Sequence, residues 1–444
     1  LSRFRARLYE YEQQTGIDLM KEEMESLADA FVQMMGLSGQ TKRMDSLMVA
    51  SSCKRMRRLE LFYSCVSRMV KAIRATGLTE LLDKRLRKYL DANDENDTLY
   101  RTPASEVDSK LEAAMTDAVR LLELTGEAFA KMAEYQQLKR LVEEQTEDTG
   151  HGRKLRDKSK ISPNSLQNPS DEDATFRTKA GETHKGYVGN LVETFDGTGA
   201  VITRMDYQQN THSDMSFGLA VIAAEESQAT QAVTLIADGA YGSDELLMAP
   251  AGEKKVRLVA TNLTGKAPDP VVSQFAIDEQ RKILVRCPAG HTPTDSHYRS
   301  NTDSCFAHFN KGVCSKCPLR QHCGVKFQKK TGLVRVALKT IHRAQYLVKL
   351  GQTEFKKLTR QRNALEGVPS VSRRKYDVDH MPVRGYVRTK LWFFLKVGAV
   401  NARRIVEWAA QQADSLLFQT FCVNLNFSRR KNRLKSNLIV SAVI

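Results

Sequence analysis

The sequence predicts an α/β fold, a mixed sheet with helices on its faces. Three stretches predict it. Val233-Thr-Leu-Ile-Ala237 is an uncharged run rich in β-branched residues and too short for an ordinary helix, so it reads as a strand buried on both faces. His184–Thr194 and Ala200–Tyr207 flank Phe195-Asp-Gly-Thr-Gly199, and the Asp-Gly pair supplies the turn of a hairpin. Met56, Leu59, Tyr63, Val66, Val70 and Ile73 recur at alternating three- and four-residue steps, the stripe of an amphipathic helix that Gly77 ends.

In chain order, residues 1–40 read as an N-terminal helical segment, with Leu19, Met20, Met24, Leu27, Ala28 and Phe31 at helical spacing. Residues 41–52 hold the first core strand, Thr41–Ala50, with Asp45 in or near it. Residues 53–165 form a helical insertion and linker. Leu111, Met115, Val119 and Leu122 line one face of a helix, and Gly150, Gly152 and Pro163 break the pattern. Residues 166–261 carry the hairpin, a helix at about 213–230, the 233–237 strand, a helix after Ser243 and a strand at Lys255–Ala260. Residues 262–340 read as a loop-rich, cysteine-rich insertion. Helices resume over 341–411, at about 341–366 and 385–411, and residues 412–444 form a basic tail with Ser428-Arg-Arg-Lys-Asn-Arg-Leu-Lys435.

The 444 residues suffice for two or three domains, and 41% hydrophobic with 27% charged residues suits a globular protein. No apolar run is long enough to span a bilayer, so no membrane role is expected. A net charge of +16, spread over several segments, points to a polyanionic partner, most simply nucleic acid. Five of the eight cysteines lie between Cys287 and Cys323, a clustering that suits a reducing compartment and a metal site better than a disulfide framework. Cys53, Cys65 and Cys422 lie in apolar surroundings and read as buried bystanders.

Asp238 stands where its strand leaves the sheet, before Gly239-Ala-Tyr-Gly242, and ligands of open α/β sheets collect at the carboxyl ends of strands. A turn or helix-cap aspartate is the alternative. Asp45 is a second carboxylate on a predicted core strand. Glu366 is a third, four residues after Arg362 and so on the same face if the segment is helical; an ordinary surface ion pair is the alternative there. Arg373, Arg374 and Lys375 add positive charge nearby. Carboxylates that hold divalent cations, with arginines for phosphate oxygens, are what phosphodiester chemistry needs.

Met44-Asp45-Ser46 before an amphipathic helix, Ala237-Asp238-Gly-Ala-Tyr-Gly242 and Arg362-Asn-Ala-Leu-Glu366 occur in an order that resembles the bacterial insertion-sequence transposases of the DDE class. The likeness is to groups with a Tyr-Arg-Glu-Lys signature and a cysteine-rich insert, and it covers roughly residues 1–411. It implies an RNase H-like core with residues 53–165 inserted after the first strand. It implies catalytic, Mg²⁺- or Mn²⁺-binding Asp45, Asp238 and Glu366, DNA cleavage at element ends and strand transfer into target DNA. It further implies DNA contacts from Arg362 and Arg373, a homodimer on DNA, and a cytoplasmic, nucleoid-associated protein. The chain begins at Leu1 rather than Met, and the resemblance implies that an N-terminal DNA-binding domain precedes it. The signature is imperfect, with Thr359 at the tyrosine place and Arg373 at the lysine place. Asp171 and Asp173, in an acidic stretch before the hairpin, are rival carboxylates for the metal site. A catalytically inactive DNA-binding descendant and a nuclease without joining activity are the rival functions.

Cys287-Pro-Ala-Gly-His291, Cys314-Ser-Lys-Cys317 and Cys323 have spacing that suits tetrahedral Zn²⁺, with Cys305, His291, His308 and His322 as alternative ligands. The expectation is a structural metal that organises a segment lacking apolar residues for a core of its own; reduced, metal-free cysteines are the alternative. Arg384, Arg388, Lys390, Lys396, Arg403 and Arg404, with Arg153, Lys154, Arg156 and Lys158 in the linker, are expected to form a phosphate-contacting surface.

Overall fold

The structure, a computed structural model, describes residues 2–179, 181–242, 255–364 and 367–412. Two helices, α1 (Ser2–Thr15) and α2 (Leu19–Met35), lead into the central strand β1 (Thr41–Ala50). Asp18 caps α2 by accepting from the Lys21 amide, and Gly36 ends it in the left-handed conformation.

Between β1 and the hairpin lies a helical module: α3 (Arg58–Ala75), short α4 (Lys84–Arg87) and α5 (Ala92–Leu99), α6 (Val107–Thr125) and α7 (Ala133–Gln145). The predicted stripe on α3 is buried, and Leu59, Tyr63, Val66, Val70 and Ile73 pack with Leu111, Leu121, Leu138 and Leu141 in a core separate from the sheet. The linker is more ordered than its composition suggests. It contains a small ladder of β2 (Thr146–Asp148) with β3 (Arg153–Leu155), and Arg153 and Arg156 bond there to Thr146.

Strands β4 (Thr175–Lys179), β5 (Glu182–Phe195) and β6 (Ala200–Gln209) follow, then helix α8 (Asp214–Gln228) and strands β7 (Val233–Ala237) and β8 (Val256–Ala260). β5–β6 is the predicted hairpin, and β4 is an additional strand in a stretch whose acidic start masks its later alternation. The sheet runs β4-β5-β1-β7-β8, with β6 also on β5; β5 is antiparallel to β1, and β1, β7 and β8 are parallel. The helix predicted after Ser243 lies outside the described residues.

The segment after β8 is not loop-rich. It holds the hairpin β9 (Ala276–Asp278) and β10 (Ile283–Arg286), and a four-stranded antiparallel sheet. That sheet is built from β11 (Asp295–Arg299), β12 (Ser304–Asn310), β13 (Lys326–Phe327) and β14 (Thr331–Ala337), ordered β11-β12-β14-β13, with the short helix α9 (Lys311–Lys316) after β12. It also has its own apolar core, in which Val272, Phe275, Leu284, Phe309 and Val334 meet Leu338, Ile341 and Ala344 of helix α10 (Leu338–Leu350). The short runs Cys305–Phe309 and Leu333–Val336 supply that core, so the segment does not depend on a metal for all of its packing.

Helices α11 (Thr353–Asn363), α12 (Gly367–Tyr376) and α13 (Tyr386–Gln411) complete the described chain. α13 lies across the sheet: Phe393, Phe394, Val397 and Val400 pack with Leu47, Val49, Tyr187 and Leu191. Gly189 has no room for a side chain beneath the Phe393 ring. On the opposite face Met44, Met48, Val188 and Val192 pack against Phe217 and Ile222 of α8. Among the described residues, no helix is long and apolar enough to cross a membrane.

Candidate active site

The parallel register of β1 and β7 runs Thr41–Thr234, Lys42–Leu235 and Arg43–Ile236. Carried two positions further, it sets Asp45 across from Asp238, which stands immediately beyond the end of β7. Alternation gives both the face shared with Arg43, opposite the one that packs on α8. Two carboxylates from distant parts of the chain therefore lie side by side where β7 leaves the sheet.

The electrostatics agree with that placement. The Asp45 carboxyl is raised above its ordinary value of 3.8, chiefly by burial and further by the charge of Asp238. Arg362, the Ser46 amide and Lys179 pull the other way without cancelling the effect. Arg362 on α11 holds the Asp45 carboxylate at 3.1 Å, and both side chains are largely buried, 15% and 16% exposed. Arg43, on the same face of β1, fixes α11 by donating to the Gln361 carbonyl at 2.6 Å. Its own charge is met by buried Glu193, which also pairs with Arg404.

The turn after β7 is built for close approach. The Asp238 carboxylate accepts from the Ala240 amide at 2.8 Å, and the Gly239 amide donates to the Asn262 side chain. A Cβ on Gly239 would lie 2.5 Å from the Asn262 carbonyl oxygen, so glycine is required there by space. Tyr241 is fully buried and donates to Asn190 at 2.8 Å.

Sequence reading missed the polar support on the α8 face. Buried Asp214, in the first turn of α8, accepts from the Ser46 hydroxyl at 2.8 Å and faces Arg177 and Lys179, each at 3.4 Å. Lys179 also reaches Ser46 at 3.2 Å. The alternation Phe176-Arg-Thr-Lys179 was a usable strand signal; nothing local marks Asp214.

The remaining expected site residues fall as follows. Glu366 lies outside the described residues. Arg373 on α12 reaches the Met48 carbonyl of β1 at 3.4 Å and pairs with Asp379 at 3.0 Å. Arg374 bonds Ser370 at 2.5 Å, and Lys375 and Arg388 are exposed. The rival carboxylates are used elsewhere. Asp171 is buried and accepts from Ser51 and Tyr187, and Asp173 accepts from the Tyr386 amide at 3.1 Å at the start of α13. Ser51 is six residues beyond Asp45, about 20 Å along an extended strand.

Much of the expected basic surface is engaged internally. Lys390 is buried between Glu12 at 2.5 Å and Asp18 at 2.8 Å; Lys396 donates to the Tyr376 and Asp377 carbonyls; Arg403 pairs with Glu407 at 2.7 Å. Lys390 follows one turn after the start of α13, so the packing of that helix decides its partners. Cys65 is buried, its thiol pushed up to about 12 by that burial, whereas Cys53 is only partly covered and Cys422 lies outside the described residues.

Cys287, Cys314, Cys317 and Cys323 line one cavity of about 20 Å³ with His291, Phe309 and Val334. That is space for a single ion or water and nothing larger. Burial raises the Cys314 and Cys323 thiols, and the other cysteines around the cavity raise them further. The Cys287–His291 turn closes with the Gly290 amide on the Cys287 carbonyl at 2.8 Å and the His291 amide on the Cys287 sulfur at 3.4 Å. Among the described residues, no three His, Cys, Asp or Glu side chains stand in an arrangement that could hold a metal ion. Three alternative ligands are otherwise bonded: Cys305 to the Lys282 carbonyl at 3.0 Å, His308 to Thr331 at 3.1 Å and His322 to Asp269 at 2.8 Å.

Neither the curated proteins nor the solved structures gave a match to the chain. Residues 286–406, which include the four cysteines, Arg362 and Glu366 but neither Asp45 nor Asp238, match the family model described as Transposase DDE domain, and this supports a DDE transposase.

Proposed function

We propose that this chain is a DDE transposase that cleaves DNA at the ends of its own mobile element and joins the freed 3′-OH to target DNA. The observation that carries the reading is the nearness of Asp45 on β1 to Asp238 just beyond the parallel strand β7, with Arg362 paired to Asp45. A central strand flanked by an antiparallel hairpin on one side and two parallel strands on the other supports an RNase H-like core. The family match to residues 286–406 supports a transposase independently of both aspartates.

The donor chemistry fits a divalent cation, because Asp45 is largely buried and feels the charge of Asp238, and positive charge between the two carboxylates relieves both burdens. Asp45 and Asp238 would hold Mg²⁺ or Mn²⁺, with Glu366 as the third ligand. Such ions supply activation of the attacking oxygen and stabilisation of the leaving one. In the first step a water oxygen bonds to phosphorus, the bond to the 3′ oxygen breaks and that oxygen takes up a proton, the water's own proton passing to solvent. In the second the freed 3′ oxygen bonds to a target phosphorus, the target's own 3′ oxygen leaves, and the proton of the attacking hydroxyl goes to that leaving oxygen through solvent. Arg362 orients Asp45 and presents a guanidinium to phosphate oxygens, and Lys179 adds a second cation at the opposite edge. Arg373, Arg374, Lys375 and Arg388 contact the DNA backbone. Cys287, Cys314, Cys317 and Cys323, the four thiols that line one cavity, would hold a structural Zn²⁺. Work on two DNA ends calls for a homodimer, acting in the cytoplasm on the nucleoid.

The test is cleavage of a supercoiled plasmid carrying the DNA that flanks the protein's own gene, with Mg²⁺, by the natural chain and by Asp238→Asn. The natural chain is expected to cut and the variant to bind DNA equally without cutting. Undiminished cleavage by the variant overturns the assignment. Preformed 3′-OH ends, supplied with a target plasmid, distinguish joining from cutting alone.

A further inference from the structure

We propose that the outer face of the four-stranded sheet β11-β12-β14-β13 is a stacking platform for single-stranded DNA. One face of this sheet is consumed by the core, where Cys305, Ala307, Phe309 and Val334 are buried. The other is assembled from planar and cationic side chains. The register sets Arg335, Phe306 and His297 in one transverse row, and Lys326, Leu333, His308 and Asp295 in the next.

Phe306 is the floor of the platform. The guanidinium of Arg299 lies 4.4 Å from its ring centroid and that of Arg335 lies 5.3 Å away. The His297 ring stacks beside it at 5.4 Å with planes 4° apart, and His308 lies 6.4 Å beyond His297. Phe306 is only 8% exposed beneath these groups, whereas Arg299, Arg335 and Lys326 are exposed and the His297 side chain is 42% exposed. Lys329 and Lys330 extend the positive charge into the adjoining turn, and Asp295, 3.3 Å from His297, is the sole acid in the two rows.

A guanidinium held over an aromatic ring is preorganised. It turns its outer surface to a stacking partner and its N–H edge to phosphate. Flat groups and cations at this spacing suit unpaired bases, whose faces are free; a duplex hides those faces and offers only edges and backbone. The inference rests on the proposed function only for the source of the strand, and its test does not depend on cleavage.

The experiment is fluorescence anisotropy of the full chain with a labelled oligo-dT of about 20 nucleotides, a length that covers more than one binding segment, and with a duplex of equal length. Arg299→Ala/Arg335→Ala is expected to weaken oligo-dT binding about tenfold or more, the size of losing a stacked base, while duplex binding changes less than about twofold. Arg299→Lys/Arg335→Lys keeps the charge but not the plane and should recover only part of the loss. Unchanged oligo-dT binding by the alanine variant, or full recovery by lysine, overturns the platform. If the alanine variant loses duplex binding to the same extent, His297→Ala decides: a loss confined to the single strand sustains the proposal and no loss refutes it. Asp238→Asn serves as the control. Failure of the transposase reading appears as cleavage indifferent to Asp238, whereas failure of the platform appears as oligo-dT binding indifferent to Arg299, Arg335 and His297.

Discussion

Replacing Asp238 by Asn should stabilise the metal-free centre of the sheet while removing activity. Asn is chosen because it keeps an acceptor for the Ala240 amide, a bond of 2.8 Å in the structure. Adjacent strands lie about 4.8 Å apart, and two unit charges near 5 Å in a medium of effective dielectric about 20 repel by about 3 kcal/mol. Arg362 at 3.1 Å from Asp45, together with residual solvent, offsets part of this, leaving about 1–2 kcal/mol. With chelator present at neutral pH, amide exchange in β1 and β7 should therefore slow about tenfold in the variant, since about 1.4 kcal/mol is one decade. The effect should fade in acid. The folded Asp45 carboxyl is raised above 3.8, so as pH rises from that value to the raised one the unfolded chain ionises first and the folded state loses stability. Below the window both states are protonated and the variant has no advantage. Added Mn²⁺ should slow exchange in the natural chain and not in the variant. Faster exchange in Asp238→Asn at neutral pH, or a gain that persists unchanged below the window, would refute the paired-carboxylate reasoning.

Three further outcomes are expected. Arg43→Ala strips one partner from buried Glu193 and unties α11 from β1; it should cost about 3 kcal/mol, the low end for a broken buried pair because Arg404 remains. An unchanged urea midpoint would count against this. Chelation of Zn²⁺ should make residues 287–291 and 314–323 protease-sensitive while β11, β12 and β14 keep their exchange protection, because that sheet has its own core; metal analysis of Cys317→Ser should show the zinc lost, and retained zinc would remove Cys317 from the set. DNA affinity should fall linearly on a logarithmic salt scale, with a slope that measures the phosphates neutralised; a flat response would exclude phosphate-driven binding.

The elements were legible because they depend on neighbours in the chain. The stripe from Leu59 to Ile73, the Asp196-Gly197 turn and the run Val233–Ala237 each state a period or a break, and each element formed with nearly the expected bounds. The strands of the cysteine segment were overlooked because the Cys-Pro and Cys-x-x-Cys turns at 287–291 and 314–323 dominate its composition, although Cys305-Phe-Ala-His-Phe309 of β12 has room for the alternation that the sheet uses. Lys390 reads in the sequence as another surface cation. Only the packing of α13 against α1 and α2 shows it neutralised by Glu12 and Asp18.

For the candidate site, the sequence by itself determined that a carboxylate ends a buried strand before a Gly-Ala-Tyr-Gly turn, and that another carboxylate lies on the first strand; that position 239 has room only for glycine was decided by the Asn262 carbonyl packed against it. It could not determine that the two meet, because facing across a parallel ladder is a matter of register between segments about 190 residues apart. The β1–β7 pairing decided that, and packing decided the burial that, with the charge of Asp238 added, raises the Asp45 carboxyl. Tertiary structure also decided the roles of Asp214, Lys179 and Ser46, and of His297, Phe306, Arg299 and Arg335, whose side chains meet only across strands. Local periodicity encodes which face a residue takes; what stands opposite that face is fixed only when the chain packs.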